Sequence, residues 1–391
     1  MDVPKPECLK KNVNVPNKLL MGPGPSNCPP RVLKALSQPI LGHMHPETFQ
    51  IMDDIKEGLK YIFQTNNTLT LALSCSGHGG MEAVMCNLIE EGDTILIAKN
   101  GIWGQRAEDM ANRCGATVKT IDTELGDNFS LARIQNAIQS VKPKVFFIVQ
   151  GESSTGVYQP LEGIGDICHR YNCLLAVDTV ASLGAVPLLV DQWNIDAIYT
   201  GSQKVLGVPP GITPISFSSR AQKIIFSRKT PVQIYYLDIT QIGQQWNCFE
   251  GPRIYHHTVS SSLLVALREG LALVVEEGLE ELMKRHRDCA KRLYDGLEKL
   301  GLEPFVEEVH KRLPTVTTIK VPDGVNWLDV VGYAIKHFNL ELSGGLGPTA
   351  NKVFRIGLMG YNAKPENVDK VLKVLQGGLQ KSKNNKCLFK L

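Results

Sequence analysis

A lysine and an aspartate each follow a strand-like apolar run in the middle of the chain. Asp178 ends the run Leu174–Asp178, and Lys204 comes shortly after a run that ends at Tyr199. A lysine amine can hold an aldehyde as a Schiff base, and a buried aspartate can keep a pyridine nitrogen protonated so that the ring accepts electrons. The pair therefore indicates a pyridoxal phosphate site, although either residue alone is more often a surface lysine or a turn aspartate.

A turn of small residues follows the apolar run Leu69–Leu73. It contains Ser76, Gly77 and His78 and leads into a segment with helical spacing. Backbone N–H groups at a helix start bind phosphate, and the helix dipole favours the negative charge. The turn lacks both the Walker and the Gly-x-Gly-x-x-Gly patterns, which disfavours a nucleotide fold, and plain packing of a Gly-rich turn remains the alternative.

Two other loops also follow strand-like runs. Trp103 lies between glycines after one run, and Ser153 lies in a hydroxyl-rich loop after Val145–Val149. An indole at a strand end either stacks on a planar ring or packs in a core. The serine loop either binds a ligand through hydrogen bonds or caps a helix.

Arg355 stands inside an apolar, strand-like run near the C-terminus. A guanidinium is rarely buried without a partner, and its planar fork matches a carboxylate through two hydrogen bonds. This arginine therefore predicts a clamp for a substrate carboxylate, with a structural ion pair as the alternative.

Six short segments, in order along the chain, resemble the class V, fold type I aminotransferases. The resemblance is to the branch that contains the alanine–glyoxylate and serine–pyruvate aminotransferases of animals and the insect 3-hydroxykynurenine transaminases. It extends from about Leu19 to about Leu379 with near-constant spacing. The segments are Ser-Gly-His-Gly, Asn-Gly-Ile-Trp-Gly-Gln-Arg-Ala, Gly-Glu-Ser-Ser-Thr-Gly, Val-Asp-Thr-Val-Ala-Ser, Gly-Ser-Gln-Lys and Arg-Ile-Tyr-His-His-Thr.

The resemblance implies how pyridoxal 5'-phosphate would be bound. Lys204 would form the Schiff base and carry the proton, and Asp178 would pair with the pyridine nitrogen. Trp103 would stack on the ring, Val180 would pack on its other face, and Ser153 would contact the ring substituents. The phosphate would be held by Ser76, Gly77, His78 and Gln203, joined by Tyr255 and Thr258 from the other subunit of a homodimer with shared active sites.

The resemblance also implies the substrates, which are small amino acids and 2-oxo acids. Alanine or serine would donate the amino group to glyoxylate or pyruvate in a ping-pong cycle, which would detoxify glyoxylate. Arg355 would grip the α-carboxylate, and Gly24 lies in the loop near it. Insect 3-hydroxykynurenine transaminases carry Ser-Asn where this chain has Gly42 and His43, so the small Gly42 favours small amino acids. The bulky 3-hydroxykynurenine is the alternative donor.

The periodicity predicts an α/β fold with three parts. Residues 1–17 form a Pro-containing arm, and residues 18–277 form a large cofactor domain with a mostly parallel sheet sandwiched by helices. Residues 278–391 form a smaller C-terminal α/β domain. A long helical stretch from Ser260 is expected to break near Gly278, and another helix is expected from Trp327 to Phe338.

Composition limits the partners. The net charge is +3, from 42 basic and 39 acidic residues, without a basic stripe, so nucleic acid is not an expected partner. No apolar run has the roughly 18 residues that a membrane span needs. The ten cysteines are scattered without metal-ligand spacing, so we expect no metal and free thiols in a reducing compartment.

The last three residues, Phe389-Lys390-Leu391, resemble a peroxisomal signal of the Ser-Lys-Leu type in their last two positions. Phe389 differs from the signal, since the first position of the signal is normally a small residue. We expect a peroxisomal protein, with the cytosol or the mitochondrion as alternatives.

Overall fold

The protein was analysed as a computed structural model that describes residues 3–388. Within that range the helices are α1 (Pro30–Leu36), α2 (Pro46–Phe63), α3 (Gly77–Leu88), α4 (Ile102–Arg113), α5 (Leu131–Val141), α6 (Ile164–Arg170), α7 (Ser219–Phe226), α8 (Ile239–Gln245), α9 (Ser261–Glu277), α10 (Leu279–Lys299), α11 (Trp327–Phe338) and α12 (Pro365–Leu388). The strands are β1 (Leu19–Leu20), β2 (Leu69–Leu73), β3 (Thr94–Lys99), β4 (Thr117–Asp122), β5 (Val145–Val149), β6 (Gly151–Glu152), β7 (Val157–Tyr158), β8 (Leu174–Asp178), β9 (Ala197–Tyr199), β10 (Thr213–Phe217), β11 (Val316–Lys320), β12 (Leu340–Glu341), β13 (Ser343–Gly344) and β14 (Val353–Gly357).

A seven-stranded sheet with the order β2-β10-β9-β8-β5-β3-β4 organises the larger core. Strands β9, β8, β5, β3 and β4 pair in parallel, and β10 is antiparallel to both of its neighbours. Every residue of β2, β5 and β8 is buried, which is typical of strands covered by helices on both faces. The predicted α/β fold with a mostly parallel sheet is thus confirmed.

The carboxyl ends of β2, β3, β5, β8 and β9 meet at one edge of this sheet, because these strands run in the same direction. The bounds predicted for β2, β5 and β8 agree with the structure. In open α/β sheets, ligands bind outside the carboxyl ends of the strands. The five loops that follow these strands are therefore placed to build one site.

A second buried cluster lies in the C-terminal part of the chain. It joins the antiparallel sheet β11-β14-β13 to helices α10, α11 and α12. Met21 belongs to this cluster, and β1 pairs in parallel with β12. The start of the predicted 18–277 domain thus packs against the C-terminal cluster, while the three domain bounds stay a prediction. The predicted helix break at Gly278 and the helix α11 are confirmed.

Two neighbouring side chains of α10 hold the loop that follows β14. Arg285 donates hydrogen bonds to the carbonyls of Gly360 and Ala363 at 2.7 and 2.9 Å. The fully buried His286 donates from Nδ1 to the Leu282 carbonyl at 2.7 Å and accepts at Nε2 from the Gly360 N–H at 3.0 Å. A neutral imidazole satisfies both bonds, and burial lowers the pKa of His286 to about 4.

No helix within residues 3–388 is long and apolar enough to cross a membrane. Among residues 3–383, whose side chains the structure describes, no group of three or more His, Cys, Asp or Glu is arranged to hold a metal ion. The cysteines among residues 3–383 are free thiols, as predicted, and include the buried Cys168 and Cys173. The predicted signal, Phe389-Lys390-Leu391, lies outside the described residues.

We expect acid to destabilise the protein through His286. An imidazole in the unfolded chain binds a proton below a pKa of about 6.5, whereas folded His286 stays neutral down to about 4. Its contribution to folding is therefore present above pH ~6.5 and is lost as the pH falls towards 4, with a total loss of roughly 3 kcal/mol. Urea unfolding of the protein between about pH 7 and about pH 4.5 measures this loss.

The variant His286→Gln removes the titrating group, so its unfolding free energy should fall less steeply with decreasing pH than that of the wild type. His310→Gln is the matched control, because the His310 side chain is exposed. Equal pH slopes for His286→Gln and wild type would contradict the prediction.

Candidate active site

A cavity lies at the carboxyl edge of the seven-stranded sheet. Its lining residues come from the start of α3 and from the segments at the ends of β3, β5, β8 and β9. They are Gly77, His78, Met81, Trp103, Gly151, Ser153, Asp178, Val180, Ala181, Gln203 and Lys204. Most of this lining was predicted from the sequence, but Met81, Gly151 and Ala181 were not. The fold therefore brings the predicted anion turn, aromatic residue, carboxylate and lysine together.

Asp178 is buried at the end of β8 and holds two short hydrogen bonds. Its Oδ1 accepts from the Val180 N–H at 2.8 Å, and its Oδ2 accepts from the Tyr199 hydroxyl at 2.6 Å. Burial raises the pKa of Asp178 to about 6, while Tyr199, Val180 and the charge of Lys204 act in the opposite direction. At neutral pH the carboxylate is thus charged and able to pair with a cation in the cavity.

Tyr199 was not predicted as a site residue. It is fully buried in β9, and burial together with Asp178 raises the pKa of its hydroxyl, which therefore remains a donor. The available signal was a tyrosine rather than a phenylalanine at the end of a buried strand, because a buried hydroxyl needs a partner.

Lys204 lies in the loop after β9 with its amine buried in the cavity. Its Nζ donates to the Pro23 carbonyl, and the space beside it is open only because Gly24 has no side chain, since a Cβ there would overlap the Lys204 side chain. Burial and the charge of Arg355 lower the pKa of Lys204 to about 8, against the opposing effect of Asp178. A substantial neutral fraction near physiological pH makes the amine a nucleophile and a base.

The turn before α3 fits a phosphate group. Ser76 precedes the helix, which begins at Gly77, and the first N–H groups of a helix have no partner within it. The side-chain oxygen of Gln203 is buried and has no hydrogen-bond partner among residues 3–388. Since the two ends of an amide can exchange places, Gln203 can present its N–H groups to an anion.

An arginine that sequence analysis did not assign also lies at this turn. Arg106 contacts Nε2 of His78, and its guanidinium lies 5.1 Å from the centre of the Trp103 indole. Burial and the charge of Arg106 both lower the pKa of His78, which keeps its ring neutral. Arg106 thus adds positive charge next to the phosphate turn, and its position one helical turn after Trp103 was the only signal in the sequence.

The ring slot of the cavity has an aromatic and an aliphatic component. Trp103 lines the cavity and its Nε1 donates to the Ser153 hydroxyl at 2.8 Å. The Ser153 hydroxyl proton is left to donate to a ligand, because the oxygen is the acceptor in that bond. Val180 lines the same cavity, and its Cγ2 would be 3.1 Å from a Cβ on Gly77. The slot suits a planar, apolar ring that bears polar substituents.

Arg355 is 8% exposed within β14 and lies close to the cavity. Its Nε donates to the Gly344 carbonyl at 2.7 Å, and one terminal nitrogen donates to the Ser153 carbonyl at 3.4 Å. Burial lowers the pKa of Arg355 to about 10, which leaves it charged at neutral pH. Neither partner is a carboxylate, so the guanidinium retains the ability to bind one.

Glu152 is a buried carboxylate that sequence analysis noted only within a motif. Its Oε2 accepts from the Trp103 N–H at 3.1 Å, and its Oε1 accepts from the Ser154 hydroxyl at 2.6 Å. Burial raises the pKa of Glu152 to about 7. The negative charge of Glu152 raises the pKa of Arg355, whereas burial of Arg355 lowers it. Glu152 therefore balances the charge of Arg355 and fixes the start of the helix that carries Trp103.

Gly42, His43, Tyr255 and Thr258 are predicted site residues that do not line this cavity, and the last three contact one another. Tyr255 is 56% exposed, and its hydroxyl lies 3.0 Å from the Thr258 hydroxyl. The His43 ring packs against Tyr255 with centroids 4.9 Å apart, and Gly42 faces His45. Their roles towards a cofactor or substrate stay a prediction that involves a second subunit.

Comparisons with known proteins agree on one family. Residues 19–371 match the family described as Aminotransferase class-V. An alanine–glyoxylate aminotransferase of Drosophila melanogaster is 56% identical over 384 residues, which is 98% of each chain. The rat enzyme of that name is 51% identical over 98% of this chain and 93% of its own. The crystal structure of an alanine–glyoxylate aminotransferase from Nostoc sp. matches with a TM-score of 0.92 and 42% identity, over 96% of this chain and 100% of that one.

Replacing Tyr199 by phenylalanine should weaken the charged form of Asp178. A hydrogen bond to a carboxylate contributes roughly 1.5–3 kcal/mol, so the pKa of Asp178 should rise by about one to two units. The acid midpoint for binding of pyridoxal phosphate, followed by its visible absorbance, should move to higher pH by at least about one unit. Tyr158→Phe is the control, because the hydroxyl that bonds to Asp178 Oδ2 is that of Tyr199 and not that of Tyr158. An unchanged midpoint in Tyr199→Phe would contradict this role.

Proposed function

The chain belongs to the class-V aminotransferase family and is an aminotransferase, and on that premise we propose that it transfers the amino group of alanine to glyoxylate with pyridoxal 5'-phosphate as cofactor. The observation that carries the proposal is that Asp178 and Lys204 line one cavity, beside which Arg355 lowers the pKa of Lys204 and donates to the carbonyl of Ser153, another lining residue. The names of the relatives support the choice of alanine and glyoxylate. Serine and pyruvate are proposed as a second donor and acceptor.

Pyridoxal phosphate, when bound, supplies an aldehyde that takes up the amino group and a ring that accepts electrons. Ser76, Gly77, His78 and Gln203 hold its phosphate in this proposal, and Trp103 and Val180 line the slot for its ring. Asp178 supplies the negative charge that pairs with the ring nitrogen. These roles are supported by the position of Gly77, His78, Trp103, Asp178, Val180 and Gln203 in the lining of the cavity, and Ser76 directly precedes Gly77.

Lys204 carries the proton in the proposed reaction. Its amine has a pKa of about 8, so near neutral pH it can remove a proton from the substrate α-carbon and return one. The nearby Arg355 contributes to this low pKa, because two cations disfavour each other. The positive charge of Arg355, which is proposed to bind the substrate carboxylate, thus also lowers the pKa of Lys204 and makes it a better base near neutral pH.

Arg355 binds the α-carboxylate that amino acids and 2-oxo acids share. Arg355 as a residue is 8% exposed, so an ion pair with a substrate carboxylate forms largely away from water and is strengthened. The carbonyl of Gly344 fixes its Nε at 2.7 Å and orients the remaining N–H groups. One arginine can therefore serve both half-reactions, since donor and acceptor present the same group.

We propose further that the enzyme is a homodimer in which Tyr255 and Thr258 reach the phosphate site of the partner. Tyr255 is exposed, and both residues lie outside the cavity of their own chain, which supports the proposal. Glyoxylate detoxification and a peroxisomal location are proposed on the resemblance and on residues 389–391 alone.

The visible spectrum tests the proposed reaction. Alanine should bleach the absorbance of the bound cofactor and glyoxylate should restore it. Both changes should be lost in Lys204→Ala, because Lys204 is the lysine that lines the cavity and is proposed to hold the aldehyde and move the proton. Lys223→Ala, in α7 and outside the cavity, is the matched control and should behave as wild type. A protein that stays colourless with added cofactor would contradict the proposal. If 3-hydroxykynurenine bleaches the absorbance and alanine does not, 3-hydroxykynurenine is the donor instead.

Arg355→Lys should raise the KM for alanine by about tenfold or more, because lysine keeps the charge but loses the two-pronged hydrogen bonds to the carboxylate. Affinity for pyridoxal phosphate should be unchanged within about threefold, since the proposed phosphate site is the turn before α3 and Arg355 donates to the carbonyls of Gly344 and Ser153 instead. Arg312→Lys is the control, as Arg312 donates only to the carbonyls of Val306 and Glu307. An unchanged KM in Arg355→Lys would remove Arg355 from substrate binding.

A further inference from the structure

A chain of hydrogen bonds reaches the phosphate turn from the segment that contains two adjacent histidines. The Ser74 hydroxyl lies 2.8 Å from Nε2 of His257. Nδ1 of His257 lies 2.9 Å from Nδ1 of His256, and Nε2 of His256 lies 3.0 Å from the Tyr235 carbonyl. Both imidazoles are nearly buried, at 8% exposure each. The pair plays no part in the mechanism described above.

The direction of each bond follows from the partner at the end of the chain. A carbonyl only accepts, so Nε2 of His256 carries a proton, and in a neutral ring its Nδ1 is then an acceptor. Nδ1 of His257 must therefore donate, which leaves its Nε2 to accept from the Ser74 hydroxyl. Burial and the neighbouring His256 lower the pKa of His257 to about 4, so the His257 ring is neutral at neutral pH.

Ser74 begins the turn that leads into α3, and side chains fix this turn at three points. His257 holds the Ser74 hydroxyl, the Tyr236 hydroxyl donates to the Ser74 carbonyl at 3.3 Å, and the Thr213 hydroxyl donates to the Cys75 carbonyl at 2.9 Å. The helix begins at Gly77, immediately after this turn. The bond to His257 thus acts on the backbone whose N–H groups face the anion site.

We infer that His257 is a positioning residue for the cofactor phosphate, which it fixes in place by holding Ser74 and hence the turn before α3. The inference rests on the proposed use of pyridoxal phosphate. His257 lies between Tyr255 and Thr258 in the sequence, and its proposed role is in its own subunit. The role proposed for Tyr255 and Thr258, by contrast, is in the partner subunit. His256 supports the role by fixing which nitrogen of His257 accepts.

Two substitutions of His257 separate its two hydrogen bonds. The amide of Gln in His257→Gln lies where Nε2 lies and can still accept from Ser74, whereas the shorter amide of Asn in His257→Asn lies where Nδ1 lies and can bond only to His256. Affinity for pyridoxal phosphate, measured by equilibrium titration of the cofactor-free protein, should fall by about three- to tenfold in His257→Asn, as expected for one lost hydrogen bond. It should stay within about twofold of wild type in His257→Gln.

Ser74→Ala should reproduce the loss, and combining it with His257→Asn should add little, because both remove the same bond. Pyridoxal, which has the aldehyde and ring but no phosphate, should bind all variants equally. Selective weakening of pyridoxal phosphate in His257→Asn supports the positioning role, whereas equal weakening of both ligands, or no weakening, overturns it. A wild-type protein that binds neither ligand overturns the proposed function together with this inference.

Discussion

A charged carboxylate buried at the carboxyl edge of a parallel sheet is the constraint on which the rest of the site depends. Burial raises the pKa of Asp178 to about 6, so its charge persists at neutral pH only with the help of its surroundings. The Tyr199 hydroxyl and the Val180 N–H supply two donors, and Lys204 supplies a positive charge. These groups belong to neighbouring strands and their loops, so the strand order is what stabilises the charge.

The other buried charges are balanced in the same way. Arg355 lowers the pKa of Lys204, whereas the carboxylate of Asp178 raises the pKa of Lys204 and that of Glu152 raises the pKa of Arg355. Two neighbouring cations in low dielectric attract anionic groups. The proposed cofactor and the 2-oxo acids are anions, and the amino acid donor carries an α-carboxylate. The same balance leaves Lys204 neutral often enough to act as a base.

The site is shared between the two buried clusters of the chain. Lys204 follows a strand of the large sheet, Arg355 lies in the C-terminal sheet, and Pro23 of the N-terminal segment accepts from the lysine amine. Backbone contacts join these parts, since the Gly357 N–H donates to the Met21 carbonyl at 2.7 Å. His286, in helix α10, accepts a hydrogen bond from the Gly360 N–H in the loop that follows β14, the strand of Arg355. The positive charges of Lys204 and Arg355 therefore reach their correct spacing only when both buried clusters and the N-terminal segment are folded together.

The sequence by itself determined the elements and the chemistry, because alternation and helical spacing are local and because few side chains can act as an aldehyde-binding amine or a carboxylate clamp. Strands β2, β5 and β8, helix α11 and the roles predicted for Lys204 and Asp178 came from such local patterns. Tyr199, Glu152 and Arg106 were not predicted as site residues, since in the sequence each reads as an ordinary core or surface side chain. Only strand order brought these three residues into contact with the lining residues Asp178, Trp103 and His78 and left Tyr255 away from the cavity. Pairing between distant segments sets the burial of each side chain, and burial shifts the pKa values.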